Sequence, residues 1–313
     1  MLTLSSLAVS TSTILVLLAF VAALSGLVGR RRSATTRHTA GVPALVLASA
    51  GGPGQQAPAG VLDEPGSTDA TLPSRPTTGW YAAALAHLAL AVLTVGLVTR
   101  AVAVGHGPFA NQHEFAVSFA WGLLLALAWT RWRHQAEGLA VAVLPLALGM
   151  LLYAATVSAT PNPLVPALQH NLLLTVHVLA AVIAYGAAGV ACAAAVLSLG
   201  RPVLVRLGWV GAPAPARLDE LGYRAVAVAF PLMTVMLILG SVWAERAWGT
   251  YWSWDPKETA ALLTWLVYGG YLHARVVRGW RGRRAAWLLV VGFVAVLFTY
   301  FGNLFLGGMH SYA

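Results

Sequence analysis

Predominantly apolar runs recur along the chain near residues 11–29, 79–99, 115–131, 138–158, 172–200, 225–243, 259–275 and 286–307, each bounded by charged or turn-forming residues. Runs of about 18 to 25 apolar residues are long enough to cross a hydrocarbon core about 30 Å thick, and at that depth helices satisfy their own backbone. The pattern therefore predicts an all-α fold, a polytopic transmembrane helix bundle of about eight spans. Between the first two runs, residues 33–78 are rich in Gly, Pro, Ser, Thr and Ala without a sustained period, which reads as a flexible cytoplasmic linker. The expected organisation is an N-terminal transmembrane helix over 1–32, that linker over 33–78, and a main transmembrane domain over 79–313.

Composition agrees with this reading: 58% of residues are apolar and 9% charged, against roughly 25% charged in an ordinary soluble domain. The net charge of +9 reports topology rather than nucleic-acid binding, because basic residues in a membrane protein mark cytoplasmic loops. With the N-terminus outside, sixteen of the nineteen Lys and Arg residues fall inside: Arg30, Arg31, Arg32, Arg37, Arg75, Arg131, Arg133, Arg201, Arg206, Arg217, Arg224, Arg275, Arg278, Arg281, Arg283 and Arg284. Only Arg100, Arg246 and Lys257 fall outside, and both termini are expected there. The first run lacks a preceding basic region and is followed by three arginines, the wrong polarity for a cleaved signal peptide. One cysteine, Cys192, excludes an internal disulfide and a CxxC redox pair, so thiol chemistry would belong to a partner. The two halves show no strong internal repeat and no matched broken helices of the inverted-repeat transporter kind.

Chemistry concentrates between Trp243 and Trp265, where Trp248, Tyr251, Trp252 and Trp254 crowd a stretch expected to be an external loop around 243–258. Interfacial belts explain one or two tryptophans. Four large aromatics beside Gly249, whose missing side chain lets a flat ligand approach the backbone, also suit a platform for haem or a quinone. Asp255, Pro256 and Glu258 have the spacing of an N-cap, a first helical residue and a capping-box partner, while Asp255, Lys257 and Glu258 together set the field at the platform's edge.

Of the nine histidines, His38 and His134 read as solvated and His113 and His170 as loop residues. His177, one or two turns into the outer end of the fifth run, and His310, just beyond the last, lie at the depth of the tryptophans and are candidate axial ligands of haem iron. His273 falls near the inner end of the seventh run, since about fourteen residues at about 1.5 Å each separate it from Thr259. His87, in the second run, could pair with His273 or simply pack.

The run formed by Trp248, Gly249, Trp252, Trp254, Asp255, Lys257 and Glu258 closely resembles the tryptophan-rich (WWD) signature of the haem-handling protein family. Within it the chain is similar to the CcsA/ResC group (CcsB in many actinobacteria), the multispan subunit of the System II cytochrome c synthase. Trp265, the Tyr271-Leu272-His273 run and the terminal Gly308 to Tyr312 fit as well, so the resemblance covers roughly residues 80–313. Asn111 and Glu114 match an external N-x-x-E segment, although His113 stands where an aromatic is expected.

The resemblance implies a cell-membrane protein that exports and presents haem b, as a transient substrate, for covalent attachment to apocytochrome c CxxCH motifs outside the cell. His177 and His310 would ligate iron beside the tryptophans, and His273 would belong to an inner haem site. The second inner ligand would be His87 or, preferably, a histidine of a CcsB/ResB-type membrane partner, because His106 lies on the outer side. A thiol-reducing pathway is implied indirectly, and haem lyase activity only as part of that complex. The residues themselves present no conventional acid–base catalyst. A b-type electron carrier and a haem transporter without synthase activity are the rival readings.

Overall fold

The computed structural model describes residues 1–39, 78–161, 171–207, 209 and 213–310. Among them the regular structure is helical: α1 (Leu2–Thr39), α2 (Thr78–Val104), α3 (Gln112–His134), α4 (Ala140–Thr156), α5 (Asn171–Arg206), α6 (Pro215–Trp248), α7 (Pro256–Val276), α8 (Arg283–Phe301) and a short α9 (Asn303–Leu306). The expected all-helical polytopic bundle is thus present. Six of the helices are long and apolar enough to cross a membrane. Helix α4, with 17 residues, is shorter, and α7 carries Lys257 and Glu258 in its first turn and Arg275 in its last.

The elements overrun the apolar runs where polar residues still favour helix. Residues 33–39 continue α1, with no Gly or Pro among them; the rest of the expected linker, with Arg75, lies outside the described residues, as does His170. Helix α6 runs on through Glu245 and Arg246 to Trp248, so the connection to α7 is only residues 249–255, and Trp243 and Trp248 belong to the last turns of α6. Hydropathy marks what is buried in lipid or protein, whereas the backbone stays helical until a residue such as Gly249 releases it.

Helix α5 is the axis of the bundle and packs against α3, α4, α6 and α8. From Ala184 to Ala195 it is nearly all Ala, Gly and Val, and those side chains are buried. Small side chains allow close approach from several sides, the usual basis of helix packing in membranes. The tightest approach is to α3: a Cβ placed on Gly186 would lie 2.2 Å from the Gly122 carbonyl oxygen, and one on Gly122 would lie 2.4 Å from that of Val182. Helices α1 and α2 form an antiparallel pair tied by Ser5 Oγ donating to the Gly96 carbonyl (2.9 Å) and Ser12 Oγ to that of Ala89 (3.2 Å). This pair rests on α4 and α3.

Buried ion pairs clamp both ends. Near the start of α3, the Arg100 guanidinium pairs with Glu114 at 2.8 Å and donates to the Ala159 carbonyl, joining α2, α3 and the segment after α4. At the opposite end Arg275 of α7 pairs with Asp219 of α6, which also accepts from the Gly282 N–H before α8.

Candidate functional site

At the end of the bundle where α5 and α7 begin and α6 and α8 finish, the helices part around an open cleft, about 1150 Å³ of space including its solvent-filled mouth. Its walls are mainly apolar and aromatic: Phe115 and Phe119 of α3, Tyr185 of α5, Trp243 of α6, Trp252 of the connection and Tyr300 of α8. His177, His310, Lys257 and Glu258 also line it.

His177 stands in the second turn of α5 and leans on α6. Its Nδ1–H donates to the Met236 carbonyl at 2.8 Å, and a carbonyl can only accept, so this nitrogen carries the proton and Nε2 the lone pair. The ring fits because residue 240 is glycine: a Cβ there would sit 2.7 Å from the imidazole Cε1. His310 arrives from the other side, after α9. Its Nδ1–H donates to Asp255 Oδ1 at 2.8 Å, which selects the same tautomer. Burial, reinforced by the nearby Lys257 ammonium, pushes His310 down to about 4 against the pull of Asp255, so the imidazole is neutral at physiological pH.

Asp255 connects the site. As N-cap of α7 it accepts from the Lys257 N–H (3.0 Å), and Glu258 completes the capping box. Its carboxylate also takes the Met309 N–H (2.6 Å) and the His310 imidazole, tying the chain end to the start of α7. Burial alone would raise the Asp255 carboxyl; these donors outweigh it and hold the group below its ordinary value. Glu258 Oε2 meanwhile gathers the Ser253 N–H, the Ser253 hydroxyl and the Asp255 N–H, folding the connection back on itself.

The aromatics expected as one platform separate into different places. Trp252 lines the cleft. Trp248 packs edge-on against His310, centroids 4.7 Å apart, and against Trp243 at the same distance. Trp254 stands perpendicular to Trp252 but points outward, 70% exposed, on a backbone with φ of 59°, a left-handed conformation that a bulky residue adopts only under strain. Tyr251 is also exposed. Gly249 has φ of 76° and caps the C-terminus of α6, with open space where its Cβ would be.

His87 and His273 do not line the cleft, and their side chains are exposed on helices with different neighbours, α2 on α1 and α3, α7 on α6 and α8. Asn111 and Glu114 have structural work: the Asn111 side chain caps α3, and Glu114 holds Arg100. His113 of α3 donates its Nδ1–H to the Ala154 carbonyl of α4 at 2.9 Å.

The sequence pattern does not single out Phe115, Phe119, Tyr185 and Tyr300, whose apolar helical settings look like core, and it marks Trp243 only as the start of the tryptophan-rich stretch. Among the described residues no three His, Cys, Asp or Glu side chains gather as a site for a bare metal ion. Two neutral imidazoles in an aromatic cleft instead suit an iron whose remaining ligands come with a flat macrocycle.

Comparison with known proteins agrees with this architecture. The family described as "Cytochrome C assembly protein" matches residues 81–310. The chain is 37% identical over 292 residues to the cytochrome c biogenesis protein CcsA of Synechococcus sp. (strain JA-3-3Ab), covering 72% of this chain and 83% of that one. It is 36% identical over 251 residues to CcsA of Guillardia theta, with the same coverages. Among solved structures, the fold resembles the protein titled cytochrome c heme lyase CcmF, with a TM-score of 0.62 at 18% identity; the match covers 96% of this chain but only 46% of that one. Spanning most of the main helical domain and reaching from α2 to His310, these matches show that the chain belongs to the cytochrome c assembly protein family.

Proposed function

We propose that this multi-pass membrane protein is a haem-handling subunit of cytochrome c biogenesis, holding haem in the aromatic cleft with His177 and His310 as axial ligands and presenting it to apocytochrome c. One observation carries the reading: two imidazoles, each with Nδ1 committed to a fixed acceptor, line one aromatic cleft. The relatives named CcsA and the heme lyase fold neighbour support it.

In this role the chain's own residues bind and orient. Met236 and Asp255 hold the imidazoles, and Trp252, Trp243 and the phenylalanines would give the bound ring an aromatic, mainly apolar lining. Haem b as substrate supplies the vinyl groups; each CxxCH thiol adds across one, sulfur to one carbon and hydrogen to the other. The protein contributes mainly positioning, which converts an encounter into an effectively intramolecular reaction. The cleft is assigned to the extracytoplasmic side of the cell membrane because Arg131, Arg133, Arg201, Arg206, Arg217, Arg224 and the arginines from 275 to 284 lie at the opposite end. Haem uptake is assigned to His273 near that opposite end. Its second ligand is assigned to a CcsB/ResB-type partner, since His87 lies on α2, which packs on α1 and α3, whereas α7 packs on α6 and α8.

The test is the visible spectrum and haem content of the purified chain, alone and with that partner. His177→Ala and His310→Ala should each change the haem absorption spectrum and lower cytochrome c maturation. Unchanged spectra in both would overturn the ligand assignment, and haem delivered to an apocytochrome without covalent attachment would reduce the role to transport.

A further inference from the structure

The Lys257 side chain has no role in the ligation or in the capping that the cleft otherwise explains. It enters the cleft half-buried, with the ammonium 5.2 Å from the centroid of the Phe115 ring. Among the described residues no carboxylate lies within ion-pair distance of its ammonium, although the Asp255 charge is near enough to act on it. Asp255 is taken up by the Lys257 N–H, the Met309 N–H and the His310 imidazole. Glu258 Oε2 is taken up by Ser253 and the Asp255 N–H, while its buried Oε1 has no hydrogen-bond partner among the described residues and does not reach the ammonium. A cation held in a mainly apolar cleft, with an aromatic face against it and no carboxylate in contact among the described residues, is an incomplete pair, since withdrawal from water is compensated only by a close counter-charge.

Resting on the haem reading above, we propose that Lys257 is the anchor for a carboxylate of the bound porphyrin, a propionate. Haem carries its two propionates on one edge and its vinyl groups elsewhere on the ring, so two axial imidazoles alone leave the ring free to turn in its own plane. Lys257 removes that freedom: pinning the acid edge at the start of α7 fixes which edge faces the cleft mouth. It is a positioning residue, and it selects porphyrins with a free acid.

The experiment titrates haem and haem dimethyl ester, whose propionates are blocked, into the purified full chain and its Lys257→Met and Lys257→Arg variants. Dissociation constants and the absorption bands of imidazole-ligated haem are both read. The native chain should bind the free acid about tenfold more tightly than the ester, the scale of one charge-assisted contact. Lys257→Met should lose that preference while still binding the ester with unchanged bands, and Lys257→Arg should keep it. An equal preference in Lys257→Met and the native chain would overturn the anchor while leaving axial ligation standing. A native chain that gives no imidazole-ligated bands with either porphyrin would overturn the haem reading itself, and the anchor with it.

Discussion

Asp255 receives donors from two distant parts of the chain: the first turn of α7, and Met309 with His310 beyond α9. Asp255→Asn preserves a good N-cap, so α7 should start where it does now. The amide, however, cannot accept from both Met309 and His310, and the imidazole loses its fixed tautomer. Haem affinity should fall about 10- to 100-fold, the usual cost of losing a ligand's outer partner, with helix content unchanged; haem titration together with circular dichroism checks this. Gly240→Ala is the matching test on the other histidine. Alanine favours helix over glycine by about 1 kcal/mol, yet its Cβ would press on His177 at 2.7 Å. The variant should therefore remain folded in a thermal melt while its haem spectrum changes. Local spacing announced the N-cap and capping box, because those bonds span two or three residues. The bond from Asp255 to His310 spans 55 and follows no local rule.

At the scale of helices, small residues decide which elements touch. Helices α3 and α5 meet at Gly122 and Gly186 with backbones so close that any added Cβ strikes a carbonyl oxygen. Gly122→Ala and Gly186→Ala should each destabilise the protein by about 1–3 kcal/mol through overpacking, read as a lower melting temperature in detergent. Because the two sites share one crossing, their effects should combine less than additively. Gly149 of α4 is the control: open space surrounds its Cβ position, so Gly149→Ala should leave the melting temperature level or higher. The helices themselves were readable from the apolar runs. Their ends were less so, since Glu245 and Arg246 break the hydropathy pattern without breaking α6.

For the whole molecule, charge and topology agree. The helices alternate in direction and bring the tryptophan connection to one end, with Arg100, Arg246 and Lys257, while the remaining described Lys and Arg residues gather at the other. Native Cys192 is buried, which leaves a quiet background for single-cysteine labelling. Thr250→Cys, exposed beside the cleft, should react with a membrane-impermeant maleimide in intact cells, and Arg281→Cys, exposed between α7 and α8, only after permeabilisation. The reverse pattern would invert the assigned orientation.

What the sequence determined by itself is whatever depends on length, hydropathy and short spacing: a helical membrane bundle, its charge asymmetry, the opening of α7, and the residue types of a family motif. These properties act through solvent, lipid or the nearest turn, so no other part of the chain is needed to express them. Only the tertiary structure decided that Trp252 faces inward and Trp254 outward, that Gly240 makes room for His177, and that Asp255 holds His310. Those outcomes depend on how helices far apart in the chain cross, and crossing is set by packing many small side chains at once rather than by any one of them.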